Sequence, residues 1–170
     1  MRTILLLSLL LMAVPVWSEQ NIPVTITSNS MQYAQQNDQV VFSGAVHVIR
    51  QDIELWSDTL TVFLEKNKTR DEAAASTMDD PGSIKKIVAQ GNVRIKADKG
   101  RSGTCGKATY DARAELLTLE DNPVLMEGSN KIQGEVIKMY IRENRSEVIG
   151  GKQRVQAIFN TSGSLPGQKQ

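Results

Sequence analysis

Apolar and polar residues alternate along two stretches of the chain, and each stretch carries a glycine at its centre. The first, VVFSGAVHVI at residues 40–49, has Val or Phe at positions 40, 42, 46 and 48; the second, IVAQGNVRIK at residues 87–96, has Ile, Ala or Val at positions 87, 89, 93 and 95. Because side chains alternate between the two faces of a strand, both stretches predict half-buried β-strands. Gly44 and Gly91 weaken such strands unless the backbone bends or bulges there. The sequence therefore predicts a bend that recurs along the fold.

A longer repeat contains these bends. An aromatic residue stands eleven positions before a candidate bend in three places: Tyr33 and Gly44, Tyr110 and Asp121, Tyr140 and Gly151. Asp tolerates the left-handed backbone conformation that Gly adopts freely. Polar starts followed by alternating apolar residues occur near positions 30, 57, 106 and 134, a step of 27 or 28 residues broken once by an insertion. Such a period is typical of stacked units that each add one layer to a fold.

Little of the sequence favours helix. The insertion, KNKTRDEAAASTMDDPGS at residues 66–83, predicts a loop with one helical turn at residues 71–75. Residues 160–170 are rich in Gly, Ser, Gln and Lys and predict a disordered tail. The remaining chain predicts an all-β domain of many short strands, with turns every eight to twelve residues or so. A jelly roll or an open sandwich fits better than a closed barrel.

The N-terminus has the pattern of an export signal. Arg2 supplies a positive charge, residues 4–14 form an apolar core, and Val16, Trp17 and Ser18 precede the expected cut. A membrane anchor is the alternative, but the apolar run falls short of the roughly 20 residues that a spanning helix needs. No cysteine lies near the cut, so no lipid attachment is predicted. We expect a signal peptide at residues 1–18 and one domain at residues 19–159.

Charge balance bears on the possible partners, and cysteine content bears on how the fold is stabilised. The chain has 20 basic and 19 acidic residues, and loss of Arg2 with the signal leaves 19 of each. Proteins that bind nucleic acid usually carry a basic excess, so this balance argues against nucleic acid as a partner. Cys105 is the only cysteine. A single cysteine cannot form an internal disulfide, so the stability of an exported domain must come from its core.

Catalytic chemistry is sparse, and an enzyme is the weaker hypothesis. A metal site in a β-roll enzyme needs several converging ligands, whereas His47 is the only histidine and its strand pattern predicts that it faces solvent. GRSGTCGKA at residues 100–108 lacks the first Gly and the final Ser or Thr of a phosphate-binding loop. Asp79 and Asp80 fit a solvated turn, and Cys105 a buried or idle thiol. No catalytic residue, metal ligand or cofactor is predicted.

One stretch concentrates basic residues and has a single acid, Asp98. The basic residues are Arg94, Lys96, Lys99, Arg101 and Lys107. Arg94 and Lys96 share the strand face opposite Val93 and Ile95. Two interpretations stay open: a solvated face, or a rim that holds the headgroup of an amphiphile at an apolar cavity.

Several phrases together resemble the OstA-like repeats of the periplasmic bridge proteins of lipopolysaccharide transport. The resemblance covers residues 24–159 and is carried by the two glycine phrases and by ATYDARAELLTLEDNPVLMEGSNKIQGEVIKMY at residues 108–140. The most specific residues follow in family-like order: Tyr110, Leu117, Thr118, Leu119, Asn122, Asn130, Ile132, Gly134, Gly151, Lys152, Arg154 and Val155. The chain departs from the family at Asp121, where Gly is usual, and at Glu135-Val136, where Asp-Lys is common.

The resemblance implies a V-shaped β-jelly roll of two twisted antiparallel sheets with an apolar interior. It also implies that the protein works in the periplasm, where copies stacked head to tail carry lipopolysaccharide with the acyl chains of lipid A inside. An inner-membrane partner of the same fold is expected at the N-terminal edge, residues 24–28, and the outer-membrane translocon at the C-terminal edge, residues 153–159. Two alternatives remain, a structural or adhesive exported β-protein with a solid interior and a metal-dependent β-roll enzyme.

The strand face that the glycine phrases share predicts which residues line the interior. They are Val24, Ile26, Met31, Tyr33, Phe42, Val46, Val48, Leu60, Val62, Ile95, Tyr110, Leu119 and Met139. Arg94 and Lys96 are predicted at the headgroup rim.

Overall fold

The computed structural model describes residues 23–65 and 84–160, and the regular structure of these residues is almost entirely β. They form twelve strands and one short 3-10 helix at Gln35–Asn37, which the sequence pattern did not indicate. In chain order the strands are β1 Thr25–Thr27, β2 Ser30–Ala34, β3 Gln39–Arg50, β4 Ile53–Leu64, β5 Ile84–Ala97, β6 Arg101–Asp111, β7 Leu116–Glu120, β8 Val124–Glu127, β9 Asn130–Gln133, β10 Val136–Tyr140, β11 Arg145–Ile149 and β12 Gln156–Ile158. The all-β prediction is confirmed.

Four long strands form the centre of the sheet. β3, β4, β5 and β6 are antiparallel neighbours of 12, 12, 14 and 11 residues. The prediction of short strands is wrong for these four, because the chain absorbs each bend as a bulge within a continuous strand instead of ending the strand in a turn.

Each long strand contributes to two half-sheets, one on either side of its bend. The first half-sheet extends from the long strands to β2 on one side and to β7, β10 and β11 on the other. The second extends to β1 on one side and to β8, β9 and β12 on the other. Within the described residues no strand joins the N-terminal edge, β1 and β2, to the C-terminal edge, β11 and β12. The sheet is therefore open.

The bends occur where the sequence repeats predicted them. The register of β3 against β4 shifts around Gly44, whose φ is +80°, and the register of β5 against β6 shifts around Gly91, whose φ is +78°. Asp121 has a φ of 61° where the chain leaves β7 for β8, and Gly151 has a φ of 54° after β11. An aspartate thus adopts the left-handed conformation at the one repeat that lacks glycine.

Gly91 is needed for space as well as for conformation. A Cβ at this position would lie 2.8 Å from the Cβ of Asp58 on the neighbouring strand. The carboxylate of Asp58 accepts a 2.9 Å hydrogen bond from Nδ2 of Asn92, which holds it over the glycine. A polar side chain likewise lies where a glycine Cβ would be in three more pairs, Asn29 and Gly44, Asp121 and Gly106, and Glu135 and Gly151, and these three side chains come from the connections between strands. Gly44, Gly91 and Gly151 at the bends thus each face a polar side chain that leaves no room for a Cβ.

The core lies on the strand face that the alternation predicted. One row of cross-strand neighbours runs through six strands of the first half-sheet: Phe42, Leu60, Ala89, Ala108, Leu119 and Ile137. All of them except Phe42 are buried, and Phe42 packs against the buried cluster. Val46 and Val93, just past the bends, are buried as deeply. The two half-sheets therefore share one core near the bends.

Three predicted segments lie outside the described residues: the signal peptide at residues 1–18, the insertion at residues 66–83 with its helical turn, and the tail beyond residue 160. β4 ends at Leu64 and β5 begins at Ile84, on either side of the insertion. The boundaries of these segments stay predictions. No helix in the described part of the chain has the length and apolar character to cross a membrane.

Candidate functional site

An apolar cavity of about 550 Å³ lies between the two half-sheets. Its walls come from both of them, with apolar side chains that include Ile95, Leu117, Leu119, Leu125, Ile132 and Met139. Its volume falls within the range of roughly 300–1,000 Å³ that is common for small-molecule sites in proteins. We call this space the cavity.

The second half-sheet presents an uninterrupted apolar row toward the interior. Its members are cross-strand neighbours from β1 to β12: Ile26, Val48, Leu55, Ile95, Gly103, Leu125, Ile132 and Ala157. Each strand contributes one apolar position because side chains alternate with a period of two. At Gly103 the missing side chain leaves room for Leu125, whose Cδ2 would lie 3.0 Å from a Cβ there. The interior surface thus runs from one edge of the sheet to the other.

Most of the thirteen residues predicted for the interior lie in the core or beside it. Val46, Leu60, Val62 and Leu119 are buried. Five others pack against the buried cluster: Ile26, Phe42, Val48, Ile95 and Met139. Ile95, Leu119 and Met139 line the cavity, and Tyr110 is partly buried on β6. Contact with a lipid stays a prediction for all of them.

The other three predicted residues lie at the N-terminal edge and are exposed. Met31 and Tyr33 on β2 stand opposite Phe42 and Val40, so they continue the core rows. They are 49% and 51% exposed because, among the described strands, none pairs with the outer side of β2. Val24, just before β1, is exposed as well.

Arg94 and Lys96 lie on the outer face of the second half-sheet. Arg94 lies over the ring of Trp56 at 5.5 Å and Lys96 at 5.3 Å, and neither lines the cavity. His47 stacks on the same ring at 4.8 Å and lies 3.4 Å from a carboxylate oxygen of Glu54. Arg94 and Lys96 thus both pack on an aromatic ring. Their contact with a headgroup stays a prediction.

Sequence analysis named Arg101 only as one member of the basic stretch and did not single out the other polar residues at the cavity mouth. Arg101, Glu127 and Asn130 line the cavity at the ends of β6, β8 and β9. Arg101 shares the interior face of β6 with Gly103, so the alternation rule itself could have assigned it there. Glu127 and Asn130 lie on four-residue strands, which are too short for a period to be read.

Cys105 is buried on β6. Burial disfavours the charged thiolate and raises the pKa of the thiol to about 11. In the part of the chain that the structure describes, no group of three His, Cys, Asp or Glu residues could hold a metal ion.

The buried thiol predicts a loss of stability at high pH. A pKa raised by folding stabilises the native state below the unfolded pKa, and that contribution disappears as the pH rises from about 9 toward 11. Urea unfolding at several pH values should show that Cys105→Ala loses less free energy over this interval than the parent protein. Parallel pH profiles for the two proteins would contradict the prediction.

Comparison with known proteins decides the family. A family model described as "LptA/(LptD N-terminal domain) LPS transport protein" matches residues 25–145. The chain belongs to this family. It is a lipopolysaccharide transport protein and not an enzyme, as the sequence resemblance implied.

Two known proteins resemble the chain, one in sequence and one in fold. The lipopolysaccharide export system protein LptA of Haemophilus influenzae is 23% identical over 140 residues, which cover 82% of this chain and 77% of that protein. A crystal structure of LptH, the LptA-homologous periplasmic component of the lipopolysaccharide transport device of Pseudomonas aeruginosa, matches with a TM-score of 0.65 and 13% identity. That match covers 82% of this chain and 96% of LptH. The predicted β-jelly-roll fold is confirmed.

Proposed function

We propose that the protein is a periplasmic carrier that shields the acyl chains of lipopolysaccharide in the cavity and passes the lipid from the inner toward the outer membrane. The observation that carries this proposal is the apolar row from Ile26 to Ala157, which crosses the second half-sheet without a polar interruption. A lipid held against such a row can move toward either edge without exposing its chains to water.

The energetics favour a groove over free diffusion. Each methylene removed from water contributes about 0.8 kcal/mol, so an acyl chain of ten methylenes costs roughly 8 kcal/mol to expose. The cavity supplies apolar walls such as Leu117 and Met139 from the first half-sheet and Ile95 and Leu125 from the second. Transport of this kind needs a continuous apolar surface and no catalytic group.

Both edges of the sheet are proposed as docking sites. β1 and β2 at the N-terminal edge carry no charged residue, and neither does β12 at the C-terminal edge. β11 carries Arg145 and Glu147, and charges on an edge strand oppose pairing with another strand. We therefore place contacts at β1 and β12: an inner-membrane domain of the same fold or another copy at β1, and the outer-membrane translocon or the next copy at β12.

Site-specific photo-crosslinking tests where the lipid lies. A crosslinking residue at Phe42, Ile95 or Tyr110 should capture lipopolysaccharide, because these positions lie on the interior face. A crosslinker at His47 should not, because His47 lies on the outer face against Trp56. Capture would be read as a shifted band that reacts with an antibody against lipopolysaccharide. Equal capture at interior and outer positions would overturn the assignment of the cavity.

A further inference from the structure

The mouth of the cavity combines one cation, one anion and one amide at the same level of the second half-sheet. Arg101 begins β6, Glu127 ends β8 and Asn130 begins β9. Arg101 stands opposite Glu127, and Glu127 stands opposite Asn130. All three line the cavity. Their polar groups therefore border the entrance to an apolar space.

The guanidinium of Arg101 is available to a ligand. Its Nε donates a 3.2 Å hydrogen bond to the carbonyl oxygen of Asp98, while within residues 23–65 and 84–160 its terminal nitrogens have no partner and no carboxylate forms an ion pair with it. Arg145 also lines the cavity, but its Nε donates to Glu143 at 3.0 Å and its guanidinium lies 3.8 Å from the centre of the Tyr140 ring. Of these two arginines, only Arg101 lacks a carboxylate or ring contact among the described residues.

Asn130 adds a donor beside this cation. Its side-chain oxygen accepts a 3.0 Å hydrogen bond from the backbone N–H of Asn160, so its amide nitrogen remains to donate. The apolar wall begins two residues deeper along β6, at Gly103 beside Ile95 and Leu125, which is about 6.5 Å along a strand. A headgroup at the mouth would thus place the first methylenes of its chain against apolar side chains.

We propose that Arg101, assisted by the amide of Asn130, binds a phosphate monoester on the headgroup of the amphiphile whose alkyl chains occupy the cavity. The inference rests on the proposed carrier function and adds a selectivity to it: anionic amphiphiles bind more tightly than neutral ones of equal chain length. An arginine fork matches a phosphate with two parallel charge-assisted hydrogen bonds. Glu127 repels the same anion, so its charge limits the affinity.

Titration calorimetry on the mature chain tests the selectivity with two probes that share a twelve-carbon chain, dodecyl phosphate and dodecyl maltoside, both below their micelle concentrations. We expect Arg101→Gln to weaken dodecyl phosphate binding about tenfold, the lower end for a hydrogen bond to a charged group. Glu127→Gln should strengthen it about twofold to threefold, because it removes a like charge from a partly screened site. Neither variant should change dodecyl maltoside binding.

Lys131→Gln is the matched control. Lys131 follows Asn130 on β9, so alternation turns its side chain to the other face of the hairpin, and Lys131 does not line the cavity. The substitution removes the same charge as Arg101→Gln, but from the face of the hairpin opposite Glu127 and Asn130, and should leave both affinities within about twofold because surface charges are screened. An equal loss in Lys131→Gln and Arg101→Gln would attribute the effect to net charge and overturn the inference.

The remaining outcomes separate the two proposals. If the parent protein binds neither probe, the carrier function and the inference both fail. If it binds both probes and Arg101→Gln weakens both or neither, the carrier function stands and the role of Arg101 is overturned. If inorganic phosphate at the concentration of dodecyl phosphate displaces that probe, the mouth binds free phosphate, and recognition of a lipid headgroup is overturned.

Discussion

Replacing Gly91 by alanine is expected to lower the free energy of unfolding by roughly 3 kcal/mol, a large part of the stability of an ordinary domain. Two costs add in this variant. An alanine forced into a φ of +78° costs about 1–2 kcal/mol. Its Cβ would also lie 2.8 Å from the Cβ of Asp58, so the neighbouring strand must move and the hydrogen bond between Asn92 and Asp58 must distort. Urea unfolding followed by circular dichroism measures the loss.

Gly100→Ala separates the two costs. Gly100 has a similar φ of +70° but lies in the turn between β5 and β6, where none of the other described residues comes within 4 Å of the position of a Cβ. This control should lose only the conformational part, about 1–2 kcal/mol. If both variants lose the same free energy, the contact with Asp58 is not a source of the requirement for glycine.

Asp58→Gly provides a second comparison. It removes the side chain that occupies the space beside Gly91, and it should lower stability by itself because the hydrogen bond from Asn92 is lost. In the double variant with Gly91→Ala, the loss of unfolding free energy should be smaller than the sum of the two single losses by about 1 kcal/mol or more, as for residues in direct contact. Additive losses would show that the two positions do not interact.

The bends were predictable because a left-handed backbone conformation favours glycine, and a glycine within a strand is visible in the sequence. Gly44 and Gly91 interrupt an otherwise regular alternation, and the spacing of eleven residues from an aromatic residue located the third bend at Asp121 although glycine is absent there. The polar partner of each glycine was not predictable. Asp58 lies 33 positions before Gly91, and only the pairing of β4 with β5 brings them together.

The cavity was predictable only in part. Alternation assigns both Leu60 and Ile95 to the interior face, yet Leu60 is buried in the core while Ile95 lines open space. The difference depends on which side chains lie across the interior from each residue, and the pattern of a single strand does not show this. For Arg101, alternation gives the interior face of β6, but its place at the cavity mouth depends on where β6 begins relative to β8 and β9.

The second large expected effect is on the association of copies through their edge strands. An unpaired edge exposes backbone N–H and C=O groups that another strand can satisfy, and β1 and β12 carry no charge to oppose this. Pairing of β12 in one copy with β1 in the next would join the apolar row that ends at Ala157 to the row that begins at Ile26. We expect the average mass of the parent protein in light scattering to rise with concentration.

Two substitutions should abolish this rise. Ala157→Pro removes a backbone donor from β12, and Ile158→Lys places a charge on the edge without altering the backbone. The second variant is needed because β12 also pairs with β9, which a proline can disturb. Both variants should keep the circular dichroism of the parent protein and remain monomeric at concentrations where the parent associates.

Ile84→Lys is the control for the lysine variant. Ile84 begins β5 in the interior of the sheet order and is 46% exposed, close to the 43% of Ile158, so the two substitutions remove similar exposed apolar surface and add the same charge. Only the lysine at Ile158 lies on an edge strand, so only that variant should lose association. If Ile84→Lys is equally monomeric, association depends on exposed apolar surface or net charge, and if neither lysine variant changes it, the contact between copies does not involve β12.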